Sequence, residues 1–154
     1  MSYLLSVDPG KASGVAFLSW DGTDATPKII FSKEVQPEDF ALSVEVILNS
    51  YKGLDNFSVI CERFTINAQT VRNSQAPYSL EQIGVLKHLC RINMYDPERI
   101  IFQSPADAKA MFPNEALKKV GAWHVGGEGH ANDAIRHALL RFVKTGWKPR
   151  VLLD

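Results

Sequence analysis

Acidic and histidine side chains stand at the ends of three segments whose composition is typical of core elements. Asp8 ends the first apolar segment, Glu62 ends a central one, and His130 and Asp133 open the last helical pattern. Because open α/β sheets place their sites at the ends of strands, these four side chains are expected to lie close together. His130 and Asp133 are three residues apart, so both project from one face of a helix, and the adjacent apolar stripe turns that face toward the sheet.

Carboxylates with a few other ligands suit hard divalent cations such as Mg²⁺ and Mn²⁺, which also take phosphate oxygens as ligands. Two such ions about 3.5 to 4 Å apart activate a water molecule and stabilise the leaving oxygen during phosphodiester hydrolysis. The residues alone leave a second interpretation open. In it Asp8 is a turn former, Glu62 is an exposed charge at a strand end, and Asp133 is a favourable acid in the first turn of a helix.

Apolar segments and turn residues predict the elements that carry these side chains. Residues 3–8, 14–20 and 28–35 predict three strands in an antiparallel meander, and a helix follows from Pro37 to about Tyr51. The later elements are a strand at 57–61, a helix from Ser79 to about Ile92, a strand at 100–102, short helices from Ser104 and Asn114, and a last helix through residues 131–142. This order predicts one α/β domain spanning 1–154, with a mixed five-stranded sheet of three antiparallel and then two parallel strands, flanked by helices.

Two segments between these elements have unusual composition. Residues 63–79 are polar and lack acidic side chains, which predicts a long loop, with Ser79 and Gln82 as a capping box where the next helix starts. That helix is apolar on more than one side, so it is either deeply buried or shared between the core and a partner, and we favour a partner. The glycine-rich residues 126–129 are interpreted as a hinge, because no βαβ unit with a ribose-binding acid surrounds them.

Composition and charge bound the class of protein. The formal net charge is zero, yet residues 1–98 hold 8 Lys and Arg against 12 Asp and Glu, while residues 99–154 hold 9 against 5. This asymmetry fits either a phosphate-binding surface or chance clustering on solvated faces. The N-terminus has no signal-peptide pattern and no apolar run long enough to span a membrane. Cys61 and Cys90 lie in apolar segments, which favours a reducing cytosol.

Further basic and histidine residues are less specific. His137 is interpreted as a surface residue or one that supports a ligand, and His88 and His124 lack the spacing of a zinc site with the cysteines. Several basic residues near the C-terminus are candidates for extending a phosphate-binding surface: Arg136, Arg141, Lys144, Lys148 and Arg150. Of these, Arg141 and Lys144 are better explained as a solvated helix face.

Three motifs along the chain carry a family resemblance. They are residues 6–10 (Ser-Val-Asp-Pro-Gly) followed by 13–16 (Ser-Gly-Val-Ala), residues 59–62 (Val-Ile-Cys-Glu), and residues 130–134 (His-Ala-Asn-Asp-Ala). In order and spacing they resemble the opening strand and turn, the central strand with its glutamate, and the C-terminal ligand pair of RuvC-type Holliday-junction resolvases. The last motif has the form found in phage-encoded members, and the resemblance covers nearly the whole chain.

The resemblance implies an RNase H-like fold and a Mg²⁺-dependent endonuclease, with Mn²⁺ able to substitute. It implies that two metal ions bind to Asp8, Glu62, His130 and Asp133, without a nucleotide cofactor. It also implies a homodimer that makes paired nicks across four-way DNA junctions, leaving 5′-phosphate ends, in the cytoplasm of a bacterial or phage-infected cell. The alternatives are an RNase H-fold nuclease acting on RNA or flap DNA, and a branched-DNA-binding protein without catalysis.

The resemblance also suggests which side chains contact DNA. Lys109, with Lys118 or Lys119, falls near the positions where the family uses lysines close to the scissile phosphate. Phe64 lies only two residues after Glu62, whereas the family's base wedge follows its glutamate by a few residues, so Phe64 is either a wedge or a core anchor. The polar segment adds two candidate DNA-binding residues, Arg63 and Arg72.

Overall fold

Three consecutive strands form the antiparallel half of a five-stranded sheet. They are β1 (Ser2–Asp8), β2 (Ser13–Trp20) and β3 (Lys28–Val35). The side chain of Ser13 closes the first turn, because its Oγ accepts the N–H of Gly10 and donates to the carbonyl of Gly10, both at 3.2 Å. This turn returns the chain so that Gly14 lies opposite Asp8 in the strand register. The structure is a computed structural model that describes residues 1–72 and 76–153.

Two parallel strands complete the sheet on the other side of β1. β4 (Phe57–Glu62) pairs with β1, and β5 (Ile101–Gln103) pairs with β4, which gives the order β3-β2-β1-β4-β5. The predicted mixed sheet of three antiparallel and two parallel strands is therefore confirmed. Because β1, β4 and β5 are parallel, their carboxyl ends meet at one edge of the sheet. That edge carries Asp8, Glu62 and Gln103.

Helices cover both faces of the sheet and enclose two hydrophobic cores. The α-helices are α1 (Pro37–Tyr51), α2 (Ala68–Arg72), α3 (Ala76–Ile92), α4 (Pro105–Met111), α5 (Asn114–Lys119) and α6 (His130–Lys144), and short 3-10 helices span Pro97–Arg99 and Arg150–Leu152. Helices α1 and α3 pack on the face that contains Leu5, whereas α4, α5 and α6 pack on the face that contains Leu4. Successive strand residues point to opposite faces, so β1 contributes to both cores.

The segment after β4 differs from the predicted long loop over residues 63–79. Helix α2 interrupts it, and α3 begins at Ala76, before the predicted cap; residues 73–75 lie outside the described part. Ser79 is buried inside α3, where its Oγ donates to the carbonyl of Pro9 at 3.1 Å. The capping-box prediction was therefore wrong, because this tertiary hydrogen bond uses the hydroxyl. Asn114 is the first residue of α5 and not its cap, since Pro113 holds the cap position.

Both cysteines are buried and unbridged, as their apolar segments predict. Burial raises the pKa of Cys90 to about 12 and raises that of Cys61 well above its usual value, so both thiols stay protonated at neutral pH. Across residues 1–72 and 76–153, no helix combines the length and apolar character that crossing a bilayer requires.

Candidate metal centre

Asp8 lies at the centre of the candidate site because β1 lies between β2 and β4 in the sheet. It is the last residue of β1, and only 6% of its surface is exposed. A turn-forming aspartate would face solvent, whereas this carboxyl group is withdrawn from it. A buried carboxyl needs hydrogen-bond or charge partners.

Helix α6 brings two of the predicted side chains to Asp8. The Nδ1 of His130 lies 3.1 Å from the Oδ2 of Asp8. Ligand atoms of Asp8, His130 and Asp133 all lie within 4.8 Å of one another. The prediction that His130 and Asp133 share a helix face turned toward the sheet is therefore confirmed in geometry. We call these three residues the donor group.

Glu62 lies beside the donor group but is not part of it. Its charge raises the pKa of Asp8, so the two carboxyl groups interact, yet the compact cluster found among the described residues does not include it. The Oε2 of Glu62 instead lies 2.9 Å from the Nε2 of His137. His137 is 1% exposed, so the surface interpretation was wrong and its alternative, a residue that supports a ligand, matches the contact. Gln103 completes this chain of contacts, donating from its Nε2 to the His137 carbonyl at 2.8 Å.

Burial and neighbouring charges perturb the protonation of the central pair. The pKa of Asp8 is raised to about 7, chiefly by burial and also by repulsion from Glu62 and Asp133, against the opposing hydrogen bond from His130. The same hydrogen bond to Asp8 raises the pKa of His130 to about 8. The Asp8–His130 pair therefore holds a shared proton near neutral pH, as expected when carboxylates crowd a partly buried histidine.

Arg136 was predicted to extend a phosphate-binding surface, and this prediction was wrong. Its guanidinium is buried, forms an ion pair with the Oδ1 of Asp133, and donates from Nε to the carbonyl of Phe112 at 2.8 Å. It also donates to the side chain of Asn114. The arginine is three residues after Asp133 on α6, so the two side chains are neighbours on one face of the helix. Arg136 therefore fixes one oxygen of a donor-group carboxylate.

A cleft of about 820 Å³ opens beside Asp133 and contains one of the predicted lysines. Lys109, exposed on α4, lines this cleft together with Trp123. Lys118 is exposed on α5, with its Nζ 5.0 Å from the centre of the Trp123 ring and 3.6 Å from a carboxylate oxygen of Glu115. Lys119 is exposed on the same short helix. The predicted lysines thus lie on helices that border the site, and none belongs to the donor group.

The side chains predicted to contact DNA after β4 lie at the surface. Arg63 follows Glu62 directly and is exposed, with its backbone N–H donating to the carbonyl of Gln103 at 2.8 Å. Arg72 is exposed at the end of α2. Phe64 is half-buried and belongs to neither hydrophobic core, which is contrary to its interpretation as a core anchor.

The donor group matches the requirements of one divalent cation. An octahedral Mg²⁺ has ligands at about 2.0 to 2.1 Å, so its opposite ligands are about 4 Å apart. The 4.8 Å limit on the separation of the donor atoms is compatible with that shell after a small adjustment of side chains. Two carboxylates and an imidazole also supply oxygen-rich coordination with one nitrogen, a set that Mn²⁺ accepts.

Comparison with known proteins identifies the fold. No family model matches the chain, and a search of curated proteins finds no matching sequence. The solved structure of Thermus thermophilus RuvC matches with a TM-score of 0.70 at 15% identity, covering 94% of this chain and 96% of that one. The chain has the RuvC-type, RNase H-like fold.

Two further structures extend the comparison. T. thermophilus RuvC in complex with a Holliday junction substrate matches the RuvC-type fold of this chain with a TM-score of 0.68 at 13% identity, covering 95% of this chain and 97% of that one. The fowlpox virus Holliday junction resolvase matches with a TM-score of 0.55 at 17% identity, covering 92% and 99% of the two chains. The fold implied by the sequence motifs is confirmed over nearly the whole chain.

Proposed function

We propose that this chain is a Mg²⁺-dependent endodeoxyribonuclease that resolves four-way DNA junctions. The observation that carries the proposal is the donor group of Asp8, His130 and Asp133, which converges at the edge of the sheet. The RuvC-type fold supports the substrate class, because T. thermophilus RuvC has been solved with a Holliday junction substrate and the fowlpox virus resolvase with Holliday junction DNA. Since a fold hosts many activities, the donor group is the stronger support.

The side chains of the site divide into those that hold metal and those that orient them. The donor group and Glu62 would hold two Mg²⁺ ions, and Mn²⁺ would substitute. Bound there, the ions would supply Lewis-acid chemistry, lowering the pKa of a water molecule and neutralising charge on the phosphate and the leaving oxygen. His137 occupies one oxygen of Glu62, and Arg136 occupies one oxygen of Asp133. Each carboxylate thereby keeps its other oxygen for a cation.

Basic side chains around the site would bind the DNA backbone. Lys109 lines the cleft beside Asp133, so it is proposed to contact the scissile phosphate, and Lys118 and Lys119 on α5 would extend that contact. On the other side, Arg63 and Arg72 would contact phosphates of a neighbouring arm. The half-buried Phe64 would insert between bases at the crossover, a use of apolar side chains that costs unstacking energy but widens the contact surface.

A homodimer would deliver two sites to the two strands of a junction, leaving paired nicks with 5′-phosphate ends. Helix α3 is the proposed contact, because Leu80 and Ile92 are 47% and 53% exposed on it. Sedimentation at micromolar concentration should give a dimer, and Leu80→Glu should shift it toward a monomer. A wild-type monomer would refute the dimer.

Cleavage of a synthetic four-way junction, labelled on each strand in turn, tests the activity. Asp8→Asn preserves shape and removes the charge of a central ligand, so nicking in Mg²⁺ should be abolished while junction binding without metal is retained. The matched control is Asp55→Asn. Asp55 is exposed and precedes β4, at the opposite end of that strand from Glu62, so this variant should nick at the wild-type rate.

The outcomes separate the chemistry from the substrate. Full-rate nicking by Asp8→Asn refutes the metal assignment. Faster cleavage of a flap or an RNA–DNA hybrid than of the junction would retain the metal chemistry but refute the proposed substrate. Ligation of the products without prior phosphorylation checks the 5′-phosphate ends.

A further inference from the structure

A carboxylate on a distant strand contacts the backbone that carries the donor group. Glu34 lies on β3, opposite Gly14 in the strand register. Its Oε2 accepts the backbone N–H of His130 at 3.1 Å and that of Glu128 at 3.0 Å, and its Oε1 lies 3.1 Å from the same Glu128 nitrogen. Glu34 and His130 are separated by 96 residues, so the contact depends on the sheet and not on local sequence.

These contacts provide hydrogen-bond acceptors for backbone N–H groups at the start of α6, the helix that carries His130 and Asp133. The first N–H groups of a helix have no partner within the helix and are usually satisfied by the side chain of the cap residue. The cap residue of α6 is Gly129, which has no side chain to accept them. The Glu34 carboxylate supplies an acceptor from outside the helix, and its charge also suits the positive end of the helix dipole.

Two glycines allow the backbone to approach this closely. A Cβ at Gly14 would lie 1.8 Å from the carbonyl oxygen of His130, so a side chain there would displace α6. Gly127 has φ +71°, and a Cβ there would lie 2.7 Å from the Oε2 of Glu34. The backbone of His130 is thus held between β2, where Gly14 leaves room, and the carboxylate on β3.

Glu34 itself could be considered a metal ligand, since atoms of Glu34, Glu128 and His130 also lie within 4.8 Å of one another. The contacts argue against this role. Both oxygens of Glu34 already approach backbone N–H groups, and the Glu128 side chain is 81% exposed. A carboxylate that caps a helix end is better explained as a support for the site than as part of it.

We infer that Glu34 is a positioning residue, which holds the start of α6 so that His130 and Asp133 face Asp8 at a distance that a divalent cation can bridge. This inference rests on the proposed function, because it concerns the same donor group. Its consequence is that the reach of the Glu34 side chain matters, since both acceptor contacts require the full length of a glutamate. Residues that orient metal ligands commonly contribute about 10- to 100-fold to metal affinity.

Two substitutions of Glu34 distinguish the effect of its side-chain length from the effect of its negative charge. Glu34→Asp keeps the charge but withdraws the carboxylate by one carbon–carbon bond, about 1.5 Å, which breaks the contacts with the two N–H groups. Glu34→Gln removes the charge but keeps an oxygen at the Oε2 position for both N–H groups, while its amide nitrogen replaces Oε1 beside the Glu128 N–H. The inference predicts that Glu34→Asp weakens Mn²⁺ binding about 10-fold or more, while Glu34→Gln, which keeps the shared acceptor, loses clearly less. The same substitutions at Glu45, an exposed acid on α1, serve as matched controls and should change nothing.

Isothermal titration with Mn²⁺, in the absence of DNA, gives the affinity of each full-length variant. Amide hydrogen exchange of the metal-free protein reports the His130 and Glu128 N–H groups directly, and they should lose protection in Glu34→Asp alone. In the junction assay, Glu34→Asp should lower kcat at saturating junction while its KM for the junction is unchanged. A purely structural role would instead lower the melting temperature and leave the Mn²⁺ affinity of the folded protein unaltered.

The outcomes distinguish the inference from the proposed function. If wild-type protein binds no Mn²⁺, the proposed function fails, and the inference falls with it. If wild type binds Mn²⁺ and Glu34→Asp binds it equally well, the inference is overturned and the proposed function stands. If Glu34→Gln loses affinity while Glu34→Asp keeps it, charge is what matters, and the positioning account is also overturned.

Discussion

Lowering the pH from 8 to 6 is a direct perturbation of the Asp8–His130 pair. The pKa of His130 is raised to about 8 and that of Asp8 to about 7, and the two side chains meet at 3.1 Å. A cation binds the neutral imidazole and the ionised carboxylate, so each proton on this pair competes with it. The affinity for Mn²⁺ therefore falls as the pH falls, and it becomes constant at pH values above the pKa of His130.

The magnitude follows from the number of protons displaced. Between pH 8 and 7 the Asp8–His130 pair holds on average about one proton that the cation must displace, so affinity should fall about 10-fold over that unit. Below pH 7 Asp8 also takes up a proton, so the loss per unit steepens toward about 100-fold. An ordinary aspartate and histidine, with pKa values of about 3.9 and 6.5, would instead leave the affinity nearly constant from pH 8 to 7.

Isothermal titration at pH 8, 7 and 6 measures this dependence. Repeating each titration in buffers of different ionisation enthalpy counts the protons released, which should be about one at pH 7.5. His88 is exposed on α3, away from the predicted ligands, so His88→Gln should reproduce the wild-type profile. Affinity that stays constant between pH 8 and 7, with no proton released, would refute the reasoning about the pair.

Two further predictions concern the residues that hold the carboxylates. Arg136→Met leaves Asp133 without its buried guanidinium partner and should lower the free energy of unfolding by about 3 kcal/mol, measured by urea denaturation of the metal-free protein; a change under about 1 kcal/mol would mean that the ion pair contributes little. His137→Leu removes the contact with Glu62 and should lower the nicking rate while junction affinity is unchanged. Equal loss of rate and of junction binding would contradict an orienting role for His137.

Much of the fold could be predicted from the sequence, because periodicity and turn residues agree along most of the chain. The bounds of β3 and α1 match the predicted residues 28–35 and 37–51. In α1, Pro37 suits a first helical position and the apolar residues recur on one face, so local preference and tertiary packing favour the same structure. Agreement between these levels is what makes an element predictable.

The segment after β4 could not be predicted, because tertiary contacts override its local signals. Ser79 has the sequence features of a cap, but its hydroxyl binds the carbonyl of Pro9, across 70 residues of chain. The helix then starts earlier, at Ala76. Helix α2 could not be predicted either, because the segment is polar and none of the five residues of α2 is buried. A short helix without a buried face leaves no periodic pattern in the sequence.

In the candidate site, too, some residues could be predicted from the sequence and one could not. Asp8, His130 and Asp133 were predictable because each lies where a core element begins or ends. Arg136 and His137 carried a usable signal, since they lie three and four residues after Asp133 and so project from a neighbouring part of the same helix face. Glu34 carried none, because its role depends on a sheet register that brings β3 beside the start of α6.

The geometry of the donor group depends on the position of one end of one helix, the first turn of α6. Two members of the donor group, His130 and Asp133, occupy the first turn of α6, so a shift of that turn moves both relative to Asp8. The sheet restrains the turn at Gly14 and at Glu34, and neither residue belongs to the donor group. Since ligand distances must hold within a few tenths of an ångström for a small cation, the proposed cation site would be sensitive to substitution at these two residues as well as at the ligands.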